Sequence, residues 1–209
     1  GNVSAWQALS ALANEDLQAG GEVNLAQLAA ALPDTLRIRE DTNITGGSLT
    51  FNIDSRTNNG LRAWQVQLAT TDITANSAGK ANVWNRPIVL QAAAHQSNAG
   101  PVIDRLSCTS DFIEITGQGH LNDATFSARA DLTELSQQLG QFIDTQGLAL
   151  AGSAHGQMRF LRGGQSQWVN VSGKAEMTNL QAVIPSVMAV NEPQLSLSLD
   201  ARILPSPDY

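Results

Sequence analysis

The sequence is short of charge, of aromatic residues and of cysteine, and it contains no long apolar run. Charged residues make up 15% of the 209 and aromatic residues 5%. A single cysteine, Cys108, rules out an internal disulfide and leaves no Cys cluster for a zinc or redox framework. It leaves the compartment open, because "LSCTS" reads as a strand that shelters the thiol. Lys and Arg number 12 against 19 Asp and Glu, a net charge of −7 with no basic run. The electrostatic footprint of a nucleic-acid-binding chain is therefore missing. No stretch approaches the roughly 20 apolar residues of a membrane-spanning helix, and there is no signal-peptide pattern. Both ends read as abrupt, as in a segment of a longer chain. "DLQAGGEVNL" resembles the end of a unit that begins elsewhere.

What is present is a hydrophobic fraction of 42%, enough to build a core. The polar remainder is largely uncharged Ser, Thr, Asn and Gln punctuated by Gly, a composition that leans toward sheet. Alternation supports this. "GSLTFNID" alternates Leu49, Phe51 and Ile53. "AWQVQLA" alternates Trp64, Val66 and Leu68, and "ATFSARA" alternates Ala124, Phe126 and Ala128. Ile88, Leu90, Ile113, Ile115, Leu148, Leu150, Met158, Phe160, Val169, Val171, Leu195, Leu197 and Leu199 continue the pattern. A period of two with one apolar side predicts antiparallel strands with one covered and one wet face. "RTNNG", "NSAGK", "SNAGP" and "RGGQS" supply turn chemistry.

Three short helices are expected. "SAWQALSALANED" carries Ser4 as cap and Gln7 at the capping-box position. Asn24 caps a helix from Leu25 to Leu32 that stops at Pro33. Asp131 caps one from Leu132 to Leu139 that ends at Gly140. Leu25, Leu28 and Leu32 share a face, as do Leu132, Leu135 and Leu139. Helices this short need a surface to lie on.

The two capped helices lie 131 − 24 = 107 residues apart. Phe51 and Phe160, Trp64 and Trp168, and the N-x-P tripeptides at Asn85 and Asn191 recur at shifts near that value. The order predicts an internal duplication. It divides the chain into 1–34, the end of a preceding unit; 35–130, a first β unit; and 131–209, a second.

Catalytic signatures are sparse. His95, His120 and His155 stand far apart in sequence without metal-ligand spacing. No G-x-S-x-G elbow occurs. "GGS" at Gly46 and "AGSAHG" at Ala151 lack the strand-to-helix setting of a phosphate cradle. Asp111 and Glu114 would need partners from elsewhere to act as a carboxylate pair. No catalytic, cofactor or metal residue is assigned. Trp6, Trp64, Trp84 and Trp168 suit sugar stacking less well than structural slots.

The segment from Asp131 to Phe160 resembles the AsmA-like and TamB-like proteins of the bacterial cell envelope. Asp131, Leu132, Leu135 and Leu139, followed by Leu148, Leu150, Gly152 and Gly156, carry the likeness. It is strongest over residues 120–162. The resemblance implies a mostly β fold, an antiparallel curved sheet or half-barrel groove built from two related units, with short amphipathic helices packed against it. It implies a periplasmic location and a membrane-anchored parent protein. Its partners would be phospholipid acyl chains and neighbouring repeats, and no enzymatic role. The apolar lane would be lined by Leu49, Phe51, Val66, Ile88, Ile113, Phe126, Met158, Val171 and Leu197. The same residues also suit an ordinary core beneath the helices. Two competing readings are an adhesion or carbohydrate-binding β module, marked by exposed Trp64 and Trp168, and a hydrolase, marked by His120 near Asp111 or Glu114.

Overall fold

The computed structural model describes residues 16–32, 35, 37–77, 79–162, 168–184 and 188–203. The helix expected in "SAWQALSALANED" lies outside the described residues, as does most of "RGGQS". In chain order the elements are β1 (Leu17–Asn24), α1 (Leu25–Ala31), β2 (Thr42–Gly46), β3 (Ser48–Asn58), β4 (Leu61–Thr70), β5 (Ile73–Ser77) and β6 (Lys80–Trp84). There follow β7 (Val89–Ser97), β8 (Gly100–Thr109), β9 (Ile113–His120), β10 (Asp123–Asp131), α2 (Leu132–Gly140), β11 (Ala149–Arg162), β12 (Val169–Ile184) and β13 (Met188–Ile203).

The larger sheet has ten strands in the order β1-β3-β4-β7-β8-β9-β10-β11-β12-β13, every pair antiparallel. Among the described residues it does not close, and β1 and β13 are its outermost strands. It is continuous across the expected boundaries at 34/35 and 130/131. A smaller sheet has the order β2-β5-β6.

Local chemistry explains the strands. In β4, Arg62, Trp64, Val66 and Leu68 are half-buried and alternate with exposed Leu61, Ala63, Gln65 and Gln67. Asn59 and Gly60 both take positive φ, 51° and 77°. That is the two-residue hairpin turn that matches strand twist, and it joins β3 to β4.

Neither helix lies across the middle of the sheet. Both start where a strand ends, with the cap accepting from the backbone as expected. Asn24 Oδ1 accepts from Gln27 N at 3.0 Å, and Asp131 Oδ1 accepts from Glu134 N at 2.9 Å. Gly140 does not terminate α2 in a left-handed turn. It is the last helical residue, and Gln141 is the C-cap in right-handed conformation.

The best-buried core sits at this same end of the sheet. Trp84 packs against Phe112 and Phe142, with ring centroids 5.8 and 5.7 Å away. Ile44, Ile73 and Ala75 of the small sheet join them, with Ile88, Ile113, Leu135, Leu139 and Ile143. The small sheet, α2 and the following loop thus form a cap over the strand ends. The segments after the two helices pair with each other through Ile38 and Ile143. Arg39 N donates to Phe142 O, and Asp144 N donates to Arg37 O.

The strand–helix–strand unit occurs twice. Asn24 faces Ser48 and Asp131 faces Ser153, so β3 returns beside β1 as β11 returns beside β10. The other landmarks occupy different places. Ser48 corresponds to Ser153, which aligns Phe51 with Gly156 rather than Phe160. Trp64 corresponds to Val171, while Trp168 precedes β12. Asn85 lies between β6 and β7, whereas Asn191 lies inside β13.

Candidate functional site

The register of the large sheet aligns apolar residues into rows that cross all ten strands. One row runs Gly21, Phe51, Leu68, Leu90, Cys108, Ile115, Ala128, Gly156, Ala175, Leu197. Its neighbour runs Ala19, Ile53, Val66, Ala92, Leu106, Gly117, Phe126, Met158, Gly173, Leu199. A third runs from Leu17 to Ala201 through Trp64, Ile103, Phe160 and Val171, and its one polar member is Ser55. Ser55 is 3% exposed, and its Oγ accepts from Leu17 N at 3.1 Å. The face carries no charged side chain in these three rows.

Within the rows, large residues face small ones. A Cβ on Gly117 would collide with the ring of Phe126, and one on Gly21 would lie 2.9 Å from the ring of Phe51. Met158 faces Gly173 across the β11–β12 pair. Side chains therefore lean over neighbouring glycines and form a closed floor. Phe126 and Phe160 meet edge to face at 5.6 Å, a geometry worth about 0.5–1.5 kcal/mol beyond area burial.

Over β10 to β13 part of this floor is exposed to solvent. A trough of about 620 Å³ lies above Ile115, Phe126, Met158, Phe160, Leu197 and Leu199. Met158 is 37% exposed, Leu197 49% and Leu199 47%. Apolar side chains exposed together on one sheet face make this trough the candidate groove. The opposite face is polar and tied by cross-strand contacts. Arg159 donates to both oxygens of Asp123 at 2.7 Å, holding that carboxyl below the usual carboxylate range. Thr116 and Ser127 hydroxyls are 2.7 Å apart, and His155 Nε2 stands 3.3 Å from Glu176.

Of the nine residues read from sequence as an apolar lane, eight lie in strands of the large sheet. Phe51 and Leu197 fall in the first row, Val66, Phe126 and Met158 in the second, and Val171 in the third. Leu49 and Ile113 fall one step beyond, toward the cap. Ile88 precedes β7, donates its N–H to Thr70 Oγ1 at 2.9 Å, and packs with Ile113 against the cap core. The sequence reading missed the small half of the face. Gly117, Gly156, Gly173, Ala92 and Ala175 carry no hydrophobic bulk, and only their period-two spacing with large residues signals them. It also missed Leu199 and Ile115 as members of the trough.

The features sought for other chemistries are scattered. His95 Nδ1 contacts Asp104 at 2.8 and 3.0 Å. His120 ends β9 at the strand terminus opposite Glu114. Asp111 is held by Arg86 at 2.9 Å, which also lies 3.4 Å from Glu134. Among the described residues no three of His, Cys, Asp and Glu gather closely enough to hold a metal ion. Trp64 is half-buried within the apolar rows and Trp168 is 47% exposed beside β12, so the two do not form one aromatic row. A polar recess of about 930 Å³ lies beside α1 and the loop after α2, where Arg39 is already engaged by Asp41 at 3.0 Å. No helix among the described residues is long and apolar enough to cross a membrane. Compared with known proteins, the chain matches no family model, no curated protein and no solved structure.

Proposed function

We propose that this chain is a non-enzymatic, lipid-conducting segment of an AsmA-like protein of the bacterial cell envelope, working on the periplasmic side as part of a membrane-anchored parent. The observation that carries the reading is the three-row apolar floor, unbroken by charge from one sheet edge to the other. An acyl chain laid on it gains roughly 0.8 kcal/mol per sheltered methylene. No headgroup chemistry is needed for that gain, and a lane of uniform contacts lets a chain slide rather than stick. The polar reverse face, with its ladder of cross-strand pairs, keeps the outer side wet.

Native mass spectrometry of the full chain tests this. The expected result is co-purified or added phospholipid bound to the wild type. Met158→Glu, which puts a charge in the trough, reduces the bound fraction at least about tenfold, as burying an unpaired carboxylate is prohibitive. Gln118→Glu, on the opposite face and outside the trough, leaves it unchanged. A wild-type chain that takes up no lipid, or equal loss in both variants, overturns the proposal.

A further inference from the structure

We propose that Arg162 is the headgroup station of the trough. A phospholipid seated there lies with its acyl portion over β10 to β13 and its phosphate on the Arg162 guanidinium. The inference rests on the lipid reading above and adds which way round the lipid lies and which headgroup charge is favoured.

The two borders of the apolar floor differ. Toward the cap, the next residues on the same face include Leu49, Ile113, Ala130, Ala154, Met177 and Leu195. That border carries no charge, and Ile113 packs against the cap core. Toward the hairpin turns, the next residues on the face include Thr57, Arg62, Gln96, Pro101, Arg162 and Val169. That border is polar, and its charged members among the described residues are the two arginines. A polar head turned toward the cap would be stripped of water against apolar side chains, which is costly. Turned the other way, it meets water and hydrogen-bond donors.

The two arginines are not equivalent. The Arg62 side chain is 12% exposed, donates from Nη2 to Thr57 Oγ1 at 3.3 Å and lies 3.9 Å from Asp16. Arg162 is exposed, and its guanidinium makes no hydrogen bond or ion pair. On β11 it follows Phe160 by two residues and Met158 by four, so it shares their face. It therefore stands about 7 Å along the strand from Phe160, a wall of the trough. Arg159, on the opposite face, is already held by both oxygens of Asp123. The planar guanidinium fork matches two phosphate oxygens at once, which an ammonium does not.

Native mass spectrometry of the full chain with dioctanoyl phosphatidic acid and with dioctanoylglycerol, which differ only in the phosphate, tests the assignment. The wild type should bind phosphatidic acid about fivefold more tightly. Arg162→Gln should abolish that preference by weakening phosphatidic acid alone. Arg162→Lys, which keeps the charge and loses the fork, should retain part of it. Arg129→Gln makes the same charge change on the polar face, where Arg129 stands opposite Glu114 and His155. It should leave both affinities within about twofold of wild type. Circular dichroism confirms the fold of each variant. Equal binding of the two lipids, or an Arg162→Gln chain that loses both alike, overturns the inference and leaves the apolar lane standing. Equal loss of the preference in Arg129→Gln also overturns it, since net charge would then be the cause. Displacement of phosphatidic acid by inorganic phosphate does so too, because the site would then need no acyl chain. A chain that binds neither lipid overturns this inference and the lane together.

Discussion

Gly117 and Gly140 show how the same residue type carries opposite consequences at two places. At Gly117 the ring of Phe126 occupies the space a side chain would need. Gly117→Val should lower stability by about 1–3 kcal/mol through overpacking, read as a fall in the urea midpoint at constant slope. At Gly140 nothing lies within 4 Å of an added Cβ, and the residue is helical. Gly140→Ala should raise stability by about 0.5–1 kcal/mol. Asp123 gives a pH dependence of defined sign. Hydrogen bonding to Arg159 is the main cause that lowers its folded pKa, with desolvation opposing. A lowered folded value means the contribution is complete above the unfolded carboxylate range and is lost as pH falls through the folded one. The urea midpoints of wild type and Asp123→Asn should differ by a constant amount near neutral pH and converge in acid. A gap that widened in acid would contradict the assignment.

At the scale of elements, α2 is held by more than its apolar stripe. Ser136 Oγ accepts from Leu150 N at 3.1 Å and Thr133 Oγ1 accepts from Gly152 N at 3.0 Å, tying the helix to the start of β11. Asp131→Ala should cost about 1 kcal/mol by uncapping α2. Ser136→Ala should speed hydrogen exchange at the Leu150 amide while leaving β3 and β4 unaffected, because the freed N–H lies at the cap. The caps at Asn24 and Asp131 were legible in the sequence because the capping side chain and the backbone N–H it accepts from lie three residues apart. The alternation of β3, β4 and β10 was legible for the same reason: the signal is local. β8 was less so. A bulge at Asp104 and Arg105 re-phases it, so Ile103 and Leu106 share a face despite a separation of three. β1 was missed because Gly20 and Gly21 carry no pattern, and the small sheet because Trp84 is buried only by residues distant in sequence, Phe112 and Phe142. The landmark aromatics spaced near 107 residues recurred in sequence but not in position, since a repeated helix cap constrains only the strands it joins.

For the whole molecule, the decisive feature is the separation of its core from its floor. The buried hydrophobic cluster, around Trp84, Phe112 and Phe142, sits at one end of the sheet, while Ala124 and Val171 are buried within the third apolar row. The apolar rows extend well beyond that cap and leave Met158, Leu197 and Leu199 partly exposed. A sequence shows which residues are apolar, but not whether something covers them. That depends on where the helices land, and the two among the described residues land at strand ends. The measurement that tests the account most directly is photolabelling of the full chain with a photoactivatable fatty acid, with adducts mapped by mass spectrometry. Adducts concentrated on the apolar rows of β10 to β13, at residues such as Met158, Phe160 and Leu199, and competed away by unlabelled phospholipid, are the expected result. Labelling spread over the polar face, or indifferent to competitor, would contradict it.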